Sequence, residues 1–214
     1  MKRILFINDT GLESNPGCRA VAATLRARLR ERADDIDSIP LGYWSDEFRG
    51  IDEHHRRAFR HSAEAFPSCT PSVPDVSLKR WEQIRHSCAE NDTLLRDRID
   101  NADCVVINGE GSIHHNFPRG LAILALALTC VERRKPVHLV NCTIQAMSIS
   151  LLAAVLPRLS LLHVREPRTF DELKQLPNLP LRLSADVAFA SEFSAHVDPS
   201  SEDRSGQCLL TSGV

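Results

Sequence analysis

Several features that would assign this chain to a specialised class of protein are missing from its sequence. The longest apolar stretch, Leu121 to Val131, is far shorter than the ~20 residues that a membrane-spanning helix needs. The net charge of -2 gives no reason to expect nucleic acid or an anionic membrane as a partner. The seven cysteines include no CxxC pair, which favours reduced structural thiols in a cytosolic protein over disulfides or a zinc site.

The usual motifs for nucleotide and metal binding are missing as well. Neither GxGxxG nor the Walker pattern occurs, so the sequence carries no dinucleotide or ATP fingerprint. His114 and His115 are adjacent rather than spaced as in HExxH, and two adjacent histidines do not readily bind one ion. No carboxylate cluster indicates magnesium. We therefore expect no metal and no cofactor.

The sequence does contain a regular alternation of short apolar runs and helical patterns. The apolar runs predict strands at Arg3–Ile7, Asp35–Pro40, Cys104–Ile107, Pro136–Val140, Leu161–Val164 and Arg182–Ser184. The first run is too short for the core of a signal peptide and fits a strand instead. Strands that alternate with helices predict a doubly wound α/β domain with a mainly parallel sheet.

Composition along the chain suggests how the domains are divided. Residues 1–193 are predicted to form the amino-terminal domain, with a helical excursion at 41–100. The part from Leu41 to Leu78 is interpreted as lying on the surface or over the site rather than in the core. Residues 194–206 are polar and read as a linker. Residues 207–214 then begin another strand, which we expect to open a truncated second domain.

One strand leads into the stretch with the most chemistry, Asn108 to His115. Gly109 and Gly111 allow left-handed angles or close approach to a ligand. Between and after them come the acid/base and hydrogen-bonding groups Glu110, Ser112, His114 and His115. Histidine is the usual acid or base near neutral pH. The alternatives are a surface histidine pair, a histidine that fixes the turn, and a Glu110 that only caps the turn or the next helix.

Polar groups also follow the other predicted strands. The residues concerned are Asn8, Asp9, Asn141, Arg165 and Asp186. Parallel strands bring their carboxyl ends to one edge, where open α/β folds bind ligands. Arg165 can bind a carboxylate or a phosphate there, or pair with Glu166 or Asp186, and Asp186 has the same structural alternative. Asn15 and Gly17 form either a substrate loop or only a cap for the following helix.

An ordered set of motifs resembles the polysaccharide pyruvyl transferase family. The motifs are Asn8-Asp9-Thr10, Asn15-Pro16-Gly17-Cys18, Asn108 to His115, Val164-Arg165-Glu166 with its helix, and Ala185 to Phe189. Gly109-Glu110-Gly111 replaces the triple glycine of the family pattern. The likeness covers essentially all of this chain but about the amino-terminal half of such a protein.

The resemblance implies a GT-B-like fold of two facing Rossmann-type domains. It implies transfer of a pyruvyl group from phosphoenolpyruvate to a sugar of a cell-surface polysaccharide, with a glycan or a lipid-linked sugar as the acceptor. Arg165 would then be an anion ligand, and Glu110, His114 and His115 would serve the acceptor or proton transfer. The other strand-end and loop residues named above would bind substrate. The family's donor-binding arginine and histidine lie in the second domain, so this chain is expected to hold half a site and to be inactive alone.

Two other functions are compatible with the same residues. One is a GT-B-like glycosyltransferase that uses a nucleotide sugar. The other is a non-catalytic α/β module that binds a sugar or a protein partner. The expected location is the cytoplasm, including the inner face of the membrane, and the sequence does not indicate an oligomeric state.

Overall fold

A computed structural model of the protein describes residues 2–41, 44–51 and 75–190. Its strands are β1 (Arg3–Ile7), β2 (Asp35–Ile39), β3 (Cys104–Asn108), β4 (Ile113–His114), β5 (Val137–Cys142), β6 (Ile144–Gln145), β7 (Leu161–Val164) and β8 (Leu181–Leu183). Its α-helices are α1 (Pro16–Arg30), α2 (Trp44–Glu47), α3 (Leu78–Asn91), α4 (Thr93–Asn101), α5 (Pro118–Glu132), α6 (Ile149–Val155) and α7 (Pro167–Leu173). Short 3-10 turns cover Phe48–Gly50, Leu156–Arg158 and Val187–Ala190.

The main sheet has six strands in the order β2-β1-β3-β5-β7-β8, and each of its neighbouring pairs is parallel. The chain moves outward from β1 to β2 on one side and then returns to place β3 on the other side of β1. This change of direction makes the gap between β1 and β3 the topological switch point of a doubly wound sheet. The predicted Rossmann-like α/β class is therefore confirmed.

The two faces of the sheet carry cores of different size. Leu5, Ile7, Val105 and Ile107 point into the large core, which α5 closes with a helix that is buried almost all round. Ile4, Phe6, Cys104 and Val106 point to the opposite face and meet Val21 and Leu25 of α1. All five residues of β3 are buried because the strand is covered on both faces. A continuous apolar run, rather than alternation, is the pattern such a strand requires.

The described part of the excursion at 41–100 is more deeply integrated than the sequence suggested. Trp44 is 2% exposed and Phe48 is 0% exposed, and both belong to the large core. The interpretation of this segment as surface is therefore wrong for Phe48, which packs against Trp81 of α3, and Trp44 is buried in the same core, whereas Asp46 and Glu47 between them are exposed. The predicted helix from Leu78 does break at Asn91-Asp92, where Asp92 caps α4 by accepting from Leu95 N.

Beyond the carboxyl ends of β3 and β5 lies a second sheet that the sequence did not predict. In this sheet β4 and β6 form a parallel pair, with Ile113 opposite Ile144 and His114 opposite Gln145. We call it the rim sheet. Because it extends the chain past β3, the turn between Asn108 and Ile113 is held on both sides by strand pairing.

The expectations for residues 194–206 and 207–214 lie outside the described residues. Within the described ranges, every helix is either too short or too polar to cross a lipid bilayer. In the same ranges, no three His, Cys, Asp or Glu side chains group together as a metal site would require.

Candidate functional site

Two asparagines mark the switch point of the sheet. Asn8 directly follows β1 and Asn108 ends β3, and both are 0% exposed. Asn8 Nδ2 donates to the Asn108 carbonyl oxygen at 2.6 Å, and Asn108 Nδ2 donates to the Asn8 carbonyl oxygen at 3.4 Å. The reciprocal pair joins the two strand ends where the regular ladder stops. It thereby fixes the distance between the β1 loop and the turn that contains Glu110.

Glu110 is the buried acid of this turn. It adopts a φ of 42° and is 6% exposed. Thr10 Oγ1 lies 3.3 Å from Glu110 Oε1, and the Cys18 thiol hydrogen-bonds to the same carboxyl group. Burial raises the pKa of Glu110, while Arg119, Thr10, Cys18 and Arg165 oppose that rise. A carboxyl group with a raised pKa is the kind that can hold a proton and deliver it.

Two arginines approach this carboxyl group from different elements. Arg119, in the first turn of α5, donates from Nη2 to Asn8 Oδ1 at 3.0 Å. Arg165, after β7, donates from Nη1 to Asp186 Oδ2 at 2.6 Å and from Nε to Thr143 Oγ1 at 3.0 Å. Both guanidinium groups act on Glu110 electrostatically. The Arg165–Asp186 ion pair that the sequence allowed is thus present, at the edge of the same cluster.

The glycines and the serine of the turn shape its backbone. Gly109 N donates to the Val140 carbonyl oxygen at 2.8 Å, and a Cβ on Gly109 would lie 2.5 Å from Cys142 Sγ. A Cβ on Gly111 would lie 3.5 Å from Arg165 Nη2, which is an ordinary contact. Ser112 N donates to the Gly109 carbonyl oxygen at 3.0 Å and closes the turn. Gly109 is therefore required by the packing of β3 on β5, whereas Gly111 faces Arg165.

The two histidines belong to the rim sheet rather than to the turn itself. His114 Nδ1 and His115 Nδ1 lie 3.0 Å apart, and His114 packs edge-on against Phe117. Burial lowers the pKa of both histidines, and His115 lowers that of His114 further. Two ring nitrogens at this distance share one proton in the neutral pair. Neutral His114 can therefore accept a proton near neutral pH.

The end of β5 contributes Asn141, which is 0% exposed and has a φ of 57°. Its Oδ1 accepts from Val187 N at 3.2 Å. Among the described residues, three buried polar side-chain atoms have no hydrogen-bond partner: Asn108 Oδ1, Asn141 Nδ2 and Arg119 Nε. Buried polar groups are normally paired, so such atoms call for an ordered water or a ligand. All three belong to residues at the ends of β3 and β5 or the start of α5.

Three of the candidate residues have structural roles away from Glu110. Asp9 accepts from Arg26 and from Gly11 N, which fixes the loop after β1. Asn15 Oδ1 accepts from Gly17 N at 2.8 Å and caps α1. Asn15 and Gly17 are both exposed. For these two residues the helix-cap alternative describes the observed contacts.

Sequence reasoning missed Thr10, Cys18, Arg119 and Thr143, all of which contact the cluster around Glu110. Thr10 and Cys18 lie inside two of the family motifs, so the sequence indicated the loop after β1 but not the roles of these two side chains. Arg119 is 111 residues from Asn8 in sequence, and no local pattern connects them. Its position next to Pro118, at a helix start directly after a polar strand end, is the signal that could have indicated it.

We use the name Glu110 cluster for Asn8, Thr10, Cys18, Asn108, Glu110, Arg119, Thr143, Arg165 and Asp186.

The family model of polysaccharide pyruvyl transferases matches residues 15–210, which is most of the chain. No curated protein sequence matches the chain to a significant degree. The matched range therefore includes every motif named above for this family except Asn8-Asp9-Thr10. The chain belongs to the polysaccharide pyruvyl transferase family.

Proposed function

We propose that the protein transfers a pyruvyl group from phosphoenolpyruvate to a sugar of a cell-surface polysaccharide, with formation of a ketal. The observation that carries this proposal is the buried Glu110 carboxyl group with two arginines beside it at the switch point of the sheet. Family membership supplies pyruvyl transfer to a polysaccharide. The donor and the bond formed are the parts that we add.

The charges around Glu110 suit a small anion. Phosphoenolpyruvate carries a carboxylate and a phosphate, and guanidinium groups bind both in a bidentate manner. Arg165 uses Nη1 for Asp186 and Nε for Thr143, and Arg119 is held by Asn8 and Glu13. These partners fix the directions of the two guanidinium groups before a ligand arrives. The first turn of α5 adds backbone N–H groups that favour negative charge.

The reaction needs one proton donor and one proton acceptor. The methylene carbon of phosphoenolpyruvate takes up a proton and becomes the methyl group of the ketal. Two sugar hydroxyls lose their protons as their oxygens bond to the central carbon. One of these protons goes to a base of the protein, and the other goes to inorganic phosphate, which leaves with the original enol oxygen. We assign delivery of the proton to the methylene carbon to the Glu110 carboxyl group, whose pKa is raised by burial. We assign acceptance of a hydroxyl proton to neutral His114, with His115 as its hydrogen-bond partner.

The acceptor is proposed to be a glycan or a lipid-linked sugar that enters beside the rim sheet. Neutral histidines and the aromatic ring of Phe117 offer hydrogen bonds and a flat apolar surface, which together suit a sugar ring. A lipid-linked acceptor would bring the protein to the inner face of the membrane. The remaining strand-end residues, Asn108, Asn141 and Ser112, would orient the two substrates.

The test is to incubate the full-length natural protein with phosphoenolpyruvate and candidate glycans. We expect release of inorganic phosphate together with the mass gain of a pyruvyl ketal on the glycan. A nucleotide sugar is supplied in parallel as the competing donor. Turnover of the nucleotide sugar, without phosphate release from phosphoenolpyruvate for any acceptor, would show that the protein is a glycosyltransferase instead.

Two variants test the assigned residues within that assay. His114→Ala removes the proposed base, and Arg165→Ala removes an anion ligand, so each is expected to lower kcat/KM by about 10²-fold or more. His86→Ala and Arg28→Ala are the matched controls, because both side chains are largely exposed and lie on α3 and α1, away from the cluster. Unchanged turnover in both site variants, with folding confirmed by circular dichroism, would remove this assignment.

A further inference from the structure

The ladder between β5 and β7 contains an irregularity at the edge of the Glu110 cluster. Leu139 pairs with Leu162 and Cys142 pairs with Val164, so two residues of β5 stand opposite His163 alone. This is a β-bulge, which bends a strand and re-aims its side chains. Asn141, one of the two bulged residues, adopts a left-handed φ of 57°, a region that asparagine enters more readily than most residues.

A side chain replaces the ladder partner that the bulge removes. The backbone N–H of Asn141 donates to His163 Nδ1 at 3.0 Å. His163 Nδ1 must therefore carry no proton, and the hydrogen-bond network assigns the proton to Nε2. Nε2 lies 2.5 Å from Ser184 Oγ, which in turn donates to the Ala185 carbonyl oxygen at 3.4 Å. In this series of hydrogen bonds, Asn141 N donates to His163 Nδ1, His163 Nε2 donates to Ser184 Oγ, and Ser184 Oγ donates to the Ala185 carbonyl oxygen. The series selects the neutral tautomer of His163 that carries its proton on Nε2.

The bulge determines where the cluster's own groups lie. Asn141 Oδ1 accepts from Val187 N, in the turn that follows Asp186. The carbonyl oxygen of Cys142 accepts from Arg165 N at 3.1 Å, and Thr143 Oγ1 accepts from Arg165 Nε. The turn after Asp186 is thus attached to the bulged residue Asn141, and Arg165 is attached to Cys142 and Thr143, which directly follow it. A change at the Asn141 N–H would be transmitted to both.

We propose that His163 is a positioning residue, whose neutral ring holds the β5 bulge and so keeps Arg165 and Asp186 in place, and that protonation of this ring releases the bulge. A protonated imidazole has two N–H donors and no acceptor, so it cannot receive the Asn141 N–H. Asn141 is fully buried, and its N–H would then be left unpaired. The catalytic consequence rests on the function proposed above, whereas the structural coupling does not.

The groups around the ring favour the neutral form near neutral pH. Burial lowers the pKa of His163, and the carboxylate of Asp186 partly opposes this effect. Arg182, the register partner of His163 in β8, presents a positive charge on the same side of the sheet. His138 in β5 shares that face, and burial lowers its pKa too. Arg165 directly follows β7, two residues after His163, and is a second positive charge near the ring.

The structural part is tested by NMR on the full chain during a pH titration. A long-range ¹H–¹⁵N correlation of the His163 ring should show Nδ1 unprotonated near neutral pH. On acidification, the Asn141 and Val187 amide signals should shift with the same midpoint as the ring. A protonated Nδ1 near neutral pH, or a ring that titrates while both amides stay unchanged, would overturn the proposal.

Two substitutions separate the acceptor from the titrating group. His163→Asn places an amide oxygen near the position of Nδ1, so it keeps an acceptor for Asn141 N–H that does not titrate. His163→Gln places its amide near Nε2, so it keeps the Ser184 contact and loses the acceptor. We expect the Asn141 amide shift to be near that of the natural protein and independent of pH in His163→Asn. In His163→Gln it should be displaced at every pH.

The same variants have a kinetic signature if the proposed reaction is correct. His163→Asn should retain kcat/KM within about threefold near neutral pH and lose part of the decline at acid pH. His163→Gln should lower kcat/KM on the order of tenfold across the pH range. Equal activity and equal pH profiles in both variants would contradict the positioning role. Absence of any phosphoenolpyruvate turnover in the natural protein would count against the proposed function alone, because the NMR result stands without it.

Discussion

At the scale of single residues, the candidate site depends on side chains whose backbone angles L-amino acids rarely adopt. Asn8, Glu110 and Asn141 have φ values of 60°, 42° and 57° and lie at the carboxyl ends of β1, β3 and β5: Asn8 directly follows β1, Glu110 comes two residues after β3, and Asn141 is the last residue but one of β5. Such conformations cost on the order of 1 kcal/mol or more each and persist only where the surroundings hold them. Their position at three neighbouring strand ends, including the switch point, indicates that the strain serves a site.

Glu110 allows catalysis to be separated from folding. Glu110→Gln keeps the size of the side chain and the neutral charge that burial favours, but glutamine cannot donate the proton. We expect kcat to fall by about 10²-fold to 10⁴-fold, measured as phosphate release from phosphoenolpyruvate. The free energy of unfolding at neutral pH should be retained or increased, because burial raises the pKa of Glu110 and so disfavours the carboxylate in the folded state.

The matched control for this variant is Glu172→Gln. Glu172 is exposed in α7, where it accepts from Arg168 Nε at 3.0 Å. Both its activity and its stability should stay close to those of the natural protein. A Glu110→Gln protein with full activity would show that the proton comes from elsewhere.

At the scale of secondary-structure elements, the close packing of β3 against β5 positions the site. This packing is close at the carboxyl ends of the two strands, where the rim sheet begins. Gly109 N bonds to Val140, and Thr143 N donates to the Glu110 carbonyl oxygen at 2.8 Å. The chain thus crosses from one strand end to the other with backbone bonds on both sides of Glu110. The glycine at 109 leaves room for Cys142, whose buried thiol has a pKa far above its ordinary value because of desolvation.

The close approach predicts a specific loss of stability. Gly109→Ala puts a methyl group 2.5 Å from Cys142 Sγ and 3.0 Å from Cys142 Cβ. Overpacking of this kind costs about 1–3 kcal/mol, which urea unfolding followed by circular dichroism can measure. Adding Cys142→Ala removes the nearest atom and should restore part of the loss, since the Cβ remains.

Gly111→Ala is the comparison for this substitution. Among the described residues, the new methyl group would meet Arg165 Nη2 alone, at 3.5 Å, so the free energy of unfolding should change little. Equal losses at Gly109 and Gly111, or strictly additive losses in the Gly109→Ala, Cys142→Ala double variant, would mean that the contact with sulfur is not the cause.

At the scale of the whole molecule, partly buried histidines link folding to pH. Burial lowers the pKa of His114, His115, His138 and His163. In the unfolded chain these groups take up protons near their ordinary pKa of about 6.5. The folded protein therefore binds fewer protons than the unfolded chain below that pH. The stability that the neutral histidines contribute is complete above pH ~6.5 and is lost as the pH falls through and below it.

We accordingly expect the free energy of unfolding to be lower at about pH 5.5 than at about pH 7.5. Urea titrations at several pH values between these limits measure it. The raised pKa of Glu110 has the opposite effect, because it lowers the free energy of unfolding as the pH rises. Glu110 is a single group, however, whereas the four histidines named above act in the other direction. His163→Asn should show a smaller dependence on pH than the natural protein. A free energy of unfolding that stays constant or increases on acidification would contradict this prediction.

The elements that the sequence predicted correctly are those whose signal is local. Arg3–Ile7 and Leu161–Val164 are strands with the predicted bounds, because each is an apolar run between polar groups. Asn15 caps α1, which is one of the two alternatives that the sequence offered for it. The rim sheet was missed because each of its strands has two residues, too few to show a period of alternation.

The residues that were missed or placed differently depend on contacts between distant parts of the chain. Phe48 lies in the irregular segment that the sequence predicts to be a surface excursion, whereas α3 and α5 bury both Phe48 and Trp44. Arg119 is held by Asn8 and Arg165 by Asp186, and these pairs form only when the strand ends meet. The role proposed for His163 depends on a bulge in the neighbouring strand, for which the sequence carries no local pattern.

The sequence by itself determined the α/β class and the order of the main strands and helices, and it carries the expectation of a site at the turn from Asn108 to His115. Hydrophobic periodicity, helix caps and glycine placement are local properties, so they can be read from neighbouring residues. Only the tertiary structure decided that Glu110 is buried within the electrostatic influence of two arginines and that the histidines stand in or directly after a strand of the separate rim sheet. Burial, charge proximity and pKa arise when β1, β3, β5 and β7 bring distant residues to one edge, and no local pattern encodes them.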